Sequence, residues 1–298
     1  MLLYRILLWI FPAVLLAAPY AESRAPYPPF VSGDGFRAHC DYVFDETDTS
    51  LDPRAVLPYS VVFLKGDYLA SFFTQIHPFI VHPYILVTHN SDDSAPGQFG
   101  YVLDEEKLIA WFSQNVDDPS HEKMHPIPIG IANRSWAHGN GSMIEAVSKR
   151  ELPKTHLLYL NVAVSTYPTE RSQVFNLFYR APFAYYSPMQ SFETYLGDVA
   201  SSQFVASPRG NGLDTHRFWE SLYLGAYPIV KSSSLDSLYA DLPVVIIQNW
   251  EEVTEEFLKQ KQEEMQGQNY NLDKLKISYW TQLIDSYRYT QGDSKVGF

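Results

Sequence analysis

Residues 204–230, FVASPRGNGLDTHRFWESLYLGAYPIV, constrain the fold more than any other stretch of this 298-residue chain. Phe204 to Ala206 is a short apolar run, SPRGNG is a glycine-rich turn, and a helical pattern follows up to Gly225. Tyr227 to Val230 then reads as a buried strand. Strand, loop, helix and strand in succession form one unit of a parallel α/β sheet. Gly210, Asn211 and Gly212 are expected at positive φ, where the backbone lies bare for close approach of a ligand. Asp214 or Thr215 is placed to cap the helix and Gly225 to end it. Free amides and a positive helix end just after such a loop suit an anion, a diphosphate above all. Arg209 on the loop offers bidentate contacts to phosphate oxygens. Arg217 and Glu220 share a face near the helix start, where a carboxylate suits a ribose diol. A plain strand–turn–helix with Arg209 and Glu220 solvated or paired accounts for the same local pattern.

Elsewhere the chain repeats the alternation. YSVVFL (59–64) and YILVT (84–88) are short β-rich runs, Leu103 to Phe112 has helical spacing, and Ile127 to Ile131 reads as a further strand. Residues 137–155 are polar and strand-poor, the best place for a boundary. HLLYLNVAV (156–164) opens a second strand-led unit, followed by a helical pattern from Arg171 to Phe178. Ser202 to Ala206 and Val244 to Ile247 are strands, and Trp250 to Gln266 and Leu272 to Tyr287 are helices. The fold class is therefore α/β in two units, 24–150 and 151–298, with ligands expected at the carboxyl ends of the strands, in the cleft between halves.

Composition narrows the functions. A formal net charge of −12 and the lack of any Lys/Arg-rich run exclude a protein that wraps nucleic acid. A nucleotide as a small ligand needs only a few arginines and backbone amides. Aromatics at 15% suit sugar stacking and equally a well-filled core. Cys40 is the only cysteine, so no internal disulfide and no cysteine-based zinc cluster can form. Residues 1–23 hold Arg5, an apolar run from Ile6 to Ala18 and small residues around Ala21, which reads as a cleaved secretory signal or, alternatively, a membrane anchor. Either directs the body of the protein to the secretory pathway or another extracytoplasmic space. Asn133-Arg134-Ser135 and Asn140-Gly141-Ser142 are glycan acceptor triplets in a eukaryotic host. His121-Glu122-Lys123-Met124-His125 matches the HExxH zinc-protease pattern, which requires a continuous helix. Pro119, Pro126 and Pro128 oppose that helix, so the match is read as accidental and no metal site is expected.

SPRGNGLDTHRFWESLYLGAYPIV resembles the C-terminal signature of the exostosin-like glycosyltransferases, in which a PRG loop precedes a WE helix and a GxxPIV strand. The similarity continues through LYADLPVVIIQNW (238–250), and weakly upstream in YLNVAVSTYPTERSQV and WFSQNVD…IPIGIAN. It covers the C-terminal half, and the N-terminal half in outline. The resemblance implies a GT-B-like architecture of two Rossmann-like domains facing a cleft. It also implies a nucleoside-diphosphate sugar donor, with a UDP-sugar favoured, a glycan or polysaccharide acceptor, and transfer with inversion. No tightly bound cofactor is implied. Carried over by position, Arg209 faces the diphosphate, Gly210, Asn211 and Gly212 form the phosphate loop, and Glu220 faces the ribose. Arg171 on a TxPxxR stretch is a second phosphate candidate. Inversion needs a base from the N-terminal side, and Asp92, Asp93 and His89 stand together after a strand; the same acids also serve as caps or turn formers. Alternatives are a fucosyltransferase-like enzyme with a guanine-nucleotide donor and a catalytically inactive carbohydrate-binding relative. Related enzymes act at times in pairs, which leaves room for a hetero- or homo-oligomer.

Overall fold

The computed structural model describes residues 24–288. The signal or anchor read in residues 1–23 and the frayed end expected at the C-terminus lie outside the described residues. No described helix is long and apolar enough to cross a membrane.

Two parallel five-stranded sheets organise the chain. The first runs β1 (Tyr42–Phe44), β2 (Ser60–Lys65), β3 (Tyr84–His89), β4 (Leu108–Ser113) and β5 (Met124–Pro126), in sequential order. In β2 and β3 nearly every residue is buried, because a parallel strand covered on both faces must be apolar throughout. Trp111 of β4 keeps its indole N–H satisfied by donating to Thr88 Oγ1 at 2.8 Å inside this sheet. The second sheet contains β6 (His156–Leu160), β7 (Ala184–Tyr186), β8 (Ser202–Ala206), β9 (Tyr227–Lys231) and β10 (Val245–Ile247), ordered β7-β6-β8-β9-β10. The order reverses between β6 and β8, and ligands of open α/β sheets bind at such a switch point. The two sheets are Rossmann-like halves, and the loops at their carboxyl ends line a common cleft.

Two expectations fail in the first sheet. The helical spacing over Leu103 to Phe112 belongs to a 3-10 run, Gly97–Asp104, followed by strand β4. A strand buried on both faces is a continuous apolar run, and such a run satisfies helical periodicity as well as strand periodicity. The strand expected over Ile127 to Ile131 lies earlier, at Met124–Pro126. Pro126 and Pro128 have no N–H for a ladder, so only isolated bonds continue it, Ile127 N–H to Ser113 O at 2.9 Å and Ile131 N–H to Val31 O at 2.8 Å.

Seven helices matter to the argument: α1 (Gly33–His39), α2 (Gly141–Ser148), α3 (Pro168–Phe178), α4 (Phe192–Ala200), α5 (His216–Tyr223), α6 (Glu255–Met265) and α7 (Ile277–Ser286). Ile144 and Val147 of α2 pack with Leu196, Val199 and Leu224 on the flank of the second sheet. In the opposite direction, α7 returns to the first half and adds Trp280 and Ile284 to its core. Tyr223 stitches the crossing: its hydroxyl accepts from Val31 N–H at 3.0 Å and donates to Leu275 O at 2.8 Å. The largest core is shared between the halves, since Phe218, Trp219 and Tyr239 belong to the cluster of β2, β3 and β4.

Because Trp280 is buried and donates its indole N–H to Lys274 O at 2.8 Å, Trp280→Ala is expected to cost about 3–5 kcal/mol in chemical denaturation.

Candidate functional site

The cleft between the sheets has a volume of about 890 Å³. Its floor on one side is the switch point of the second sheet: Asn161 after β6, Gln190 after β7, Gly210 to Gly212 after β8, and the first turn of α5. Asp92, Ile129, Trp136 and His138 close it from the other half. Trp136 is 64% exposed, a large aromatic left bare in the cavity wall.

The loop is held without the positive φ expected of it. Gly210, Asn211 and Gly212 all lie outside the left-handed region. Close approach explains the glycines instead: a β-carbon at Gly212 would stand 2.5 Å from Asn115 Nδ2, and one at Gly210 would stand 3.3 Å from Arg171 Nη2. Gly225 does take φ +67° after α5. Its N–H donates to Leu222 O and that of Ala226 to Ser221 O, the paired bonds of a Schellman ending.

Asp214 is no cap in the usual sense. Its buried carboxylate accepts from Ile129 N–H and Trp219 Nε1 at 2.8 and 2.7 Å, from Thr215 N–H at 2.9 Å and from the Tyr239 hydroxyl at 3.1 Å. Burial pushes its pKa up to about 6, against the pull of these bonds. Thr215 occupies the N-cap position, yet its hydroxyl accepts nothing from the helix and has no partner.

The three arginines divide the work differently from expectation. Arg209 is absent from the cleft wall. Its guanidinium folds over its own loop, donating to Asn211 O at 2.7 Å, and lies 4.5 Å from the centre of the Tyr167 ring. It faces a separate recess of about 210 Å³ with Ser207 and Ser232. Arg171 reaches the cleft but is 7% exposed and spends its donors on backbone, to Arg209 O at 2.7 Å and Ala163 O at 3.1 Å. It buttresses the loop. Burial, then the nearby Arg217 charge, lowers its pKa to about 10. Arg217 is the cation left over: it lines the cleft, and its buried Nε has no hydrogen-bond partner.

Glu220 lies one turn along α5 and is 3% exposed. Burial raises its pKa to about 7, opposed by a hydrogen bond from the Tyr195 hydroxyl at 2.8 Å and by Arg217. The structure thus brings Arg171, Arg217, Glu220 and the loop together around one cavity and turns Arg209 away from it.

On the other half, Asp92 and Asp93 separate. Asp92 lines the cleft and accepts from Asn211 Nδ2 of the loop at 3.2 Å. Asp93 lines a separate, small cavity near the end of β3. His89 cannot serve as base. It is 2% exposed, its Nε2 faces the Pro128 carbonyl at 3.0 Å and so carries the proton, and Nδ1 accepts from Asn90 N–H at 2.8 Å. Burial lowers its pKa to about 4, so it is neutral and fully used.

Sequence reasoning passed over His216. At the first position of α5 its Nδ1 donates to Gly130 O at 2.8 Å, which leaves Nε2 as an acceptor, and burial holds its pKa at about 4. His216, Asp92, Ile129 and Trp136 also line an adjoining groove of about 250 Å³ on the first half, which includes Lys65, Asp67 and Asn133. The only signal in the sequence was a polar residue directly after the loop.

The HExxH segment is not a helix. His121 to Lys123 form a bend and turn, Met124 begins β5, and His125 stacks on Phe112 at 4.8 Å. Asn133 has its side chain engaged at both ends, accepting from Asp34 N–H and donating to Asn90 Oδ1, so a glycan there would use the one N–H that is left. Asn140 caps α2 through its oxygen.

No family model and no curated protein sequence matches the chain. Among solved structures it is similar to the UDP-GlcNAc 2-epimerase from Methanocaldococcus jannaschii, with 9% identity, 76% of this chain and 77% of that one covered, and a TM-score of 0.37. It is also similar to a GtfA/B complex, with 11% identity, 78% of this chain and 58% of that one covered, and a TM-score of 0.36. The architecture stated above rests on the two sheets themselves.

The Glu220 pKa makes a stability test. A carboxyl raised from 4.5 to about 7 favours the folded state in its protonated form, so its contribution is complete below pH 4.5 and lost as pH rises through 7. Glu220→Gln is expected to match the wild type near pH 4 and to be more stable by up to about 3 kcal/mol at pH 8, read from denaturation midpoints.

Proposed function

We propose that the chain is a glycosyltransferase that moves a sugar from a nucleoside-diphosphate sugar to a glycan acceptor. One observation carries this reading: an arginine whose buried Nε has no hydrogen-bond partner among the described residues, Arg217, beside a buried carboxyl, Glu220, at the start of a helix that opens onto a large cleft at the switch point. A cation and free amides suit the diphosphate, and a carboxylate one turn along suits the ribose diol. The exostosin-like resemblance of 207–230 supports the same assignment for Glu220. It had given the phosphate role to Arg209; here Arg217 takes that role and Arg171 supports the loop.

The acceptor enters along the groove shared by Asp92 and His216, where the two cavities meet. Its hydroxyl oxygen attacks the anomeric carbon as the bond from that carbon to the diphosphate oxygen breaks on the opposite face. Configuration inverts, the hydroxyl proton passes to the Asp92 carboxylate, and the diphosphate leaves with its charge against Arg217. His216 Nε2 accepts from a hydroxyl of the bound sugar. Trp136 supplies a flat apolar face for a sugar ring. The resemblance adds metal-independent transfer, and residues 1–23 add action outside the cytoplasm, free or anchored, alone or as an oligomer.

Calorimetry with a panel of nucleoside diphosphates tests the donor site. One of them is expected to bind, with affinity rising as pH passes through about 7 and Glu220 ionises; Glu220→Gln flattens that rise. Arg217→Ala is expected to weaken binding about tenfold to a hundredfold, while Arg209→Ala stays near the wild type. Binding by none of them, or equal losses in both arginine variants, would sink the assignment. For the chemistry, Asp92→Asn is expected to retain donor binding and lose transfer, with Asp93→Asn near wild type in a product assay. A wild type that binds donor and transfers nothing across an acceptor panel would instead be a carbohydrate-binding relative.

A further inference from the structure

Resting on the reading of the cleft as a donor site, we propose that Asn161 and Gln190 recognise the donor's base and select guanine. The two residues sit at the ends of neighbouring strands, Asn161 after β6 and Gln190 in the loop after β7, and both line the cleft. Their amide groups are oriented by partners that leave no choice. Gln190 Nε2 donates to the Asp198 carboxylate at 2.7 Å and to the Tyr159 and Ser187 hydroxyls at 3.2 Å each. Asn161 Nδ2 donates to the main-chain oxygens of Ser187 and Pro188 at 3.2 and 3.3 Å. Carboxylates and carbonyls only accept, so in each side chain the nitrogen is committed to the protein and the oxygen is turned the other way.

Neither amide oxygen accepts a hydrogen bond from any described residue, and neither is among the buried atoms left without a partner. Both are therefore reached by solvent, on side chains that line the cavity. The two amide groups are neighbours, because both nitrogens reach the same Ser187 hydroxyl, Gln190 at 3.2 Å and Asn161 at 3.5 Å. What the cleft wall presents here is two amide oxygens whose nitrogens are already committed to the protein.

Among the common bases only guanine offers the complement, a ring N–H directly beside an exocyclic amino group. Uracil has a single ring N–H flanked by two carbonyls, so one amide oxygen would face a carbonyl oxygen. Adenine and cytosine each set an amino group beside an unprotonated ring nitrogen, with the same conflict. A site whose polar groups are fixed for one hydrogen-bonding pattern rejects a ligand that leaves them unpaired. The surroundings suit a planar ring: Met189, 94% exposed, precedes Gln190, and Phe192 follows on the same wall. The position suits the rest of the nucleotide. Gln190 touches Tyr159, whose ring lies 6.2 Å from that of Tyr195, and Tyr195 donates to Glu220. Base, ribose and diphosphate then follow in order from Gln190 through Glu220 to Arg217. The uracil donor favoured by the resemblance is replaced by a guanine one.

Calorimetry with GDP, IDP, ADP and UDP decides it. IDP is guanosine diphosphate without the exocyclic amino group, so the wild type alone is informative. GDP is expected to bind tightest, with IDP weaker by roughly tenfold, the worth of one such bond, and UDP weaker again. Gln190→Leu and Asn161→Ala are expected to abolish the preference of GDP over IDP without weakening UDP. UDP binding as tightly as GDP to the wild type, or variants that weaken GDP and UDP alike, overturns the inference. Nucleotide binding without base preference removes base selection alone, whereas absence of binding by all four removes the donor site with it.

Discussion

The buried carboxylate of Asp214 holds the site together. It accepts from one half at Ile129 N–H and from the other at Trp219, Thr215 and Tyr239, while its own N–H donates to Asn115 Oδ1 at 3.1 Å. Taking a carboxylate out of water is costly, and only a full set of donors makes the ionised form tolerable. Those donors come from loops and helices of both halves, so the position of the loop 209–215 is set by them. Gly212 follows from this: with the loop drawn against Asn115, no room is left for a β-carbon. The absence of positive φ in the loop follows too, since its glycines answer to a neighbouring side chain rather than to a turn.

Fixing the loop in this way divides the cations. Arg171 lies beneath it and is consumed by the carbonyls that the bend exposes. Arg209 is on the outer side and satisfies itself on Asn211 O and the Tyr167 ring. Arg217, on the helix rather than the loop, is left beside an acid whose ionisation burial opposes, with its own buried Nε unpartnered among the described residues. In a chain of net charge −12 such a cation in a cavity wall is the informative charge, more so than the count of basic residues nearby.

Much of the architecture was legible because its elements obey local rules. The continuous apolar runs of β2 and β3, the spacing of α3 and the βαβ pattern over 204–230 each state their structure within a few residues. Leu108–Ser113 did not, since burial on both faces erases the difference between the two periodicities. For the site, the sequence could gather Arg171, Arg209, Arg217 and Glu220 near one loop, but the direction of a long side chain is decided by carbonyls and rings distant in sequence. Asp92 and Asp93 are adjacent, and only the turn after β3 sends them to different cavities. His216 was silent for the same reason: its value comes from Gly130, 86 residues away, which fixes its tautomer.

The shared core sets how such a cleft can work. Phe218, Trp219 and Tyr239 belong to the cluster built on the first sheet, α7 crosses back to cover α1, and Tyr223 binds Val31 and Leu275 at once. Rotating the halves as rigid bodies would open this core and strand the donors around Asp214. Closure over a ligand must therefore come from parts with less at stake, such as the exposed Met189 loop and the Trp136 to His138 segment, both at the cleft rim. The buried groups of the cleft are held in place in advance, while its more exposed wall is left to adapt.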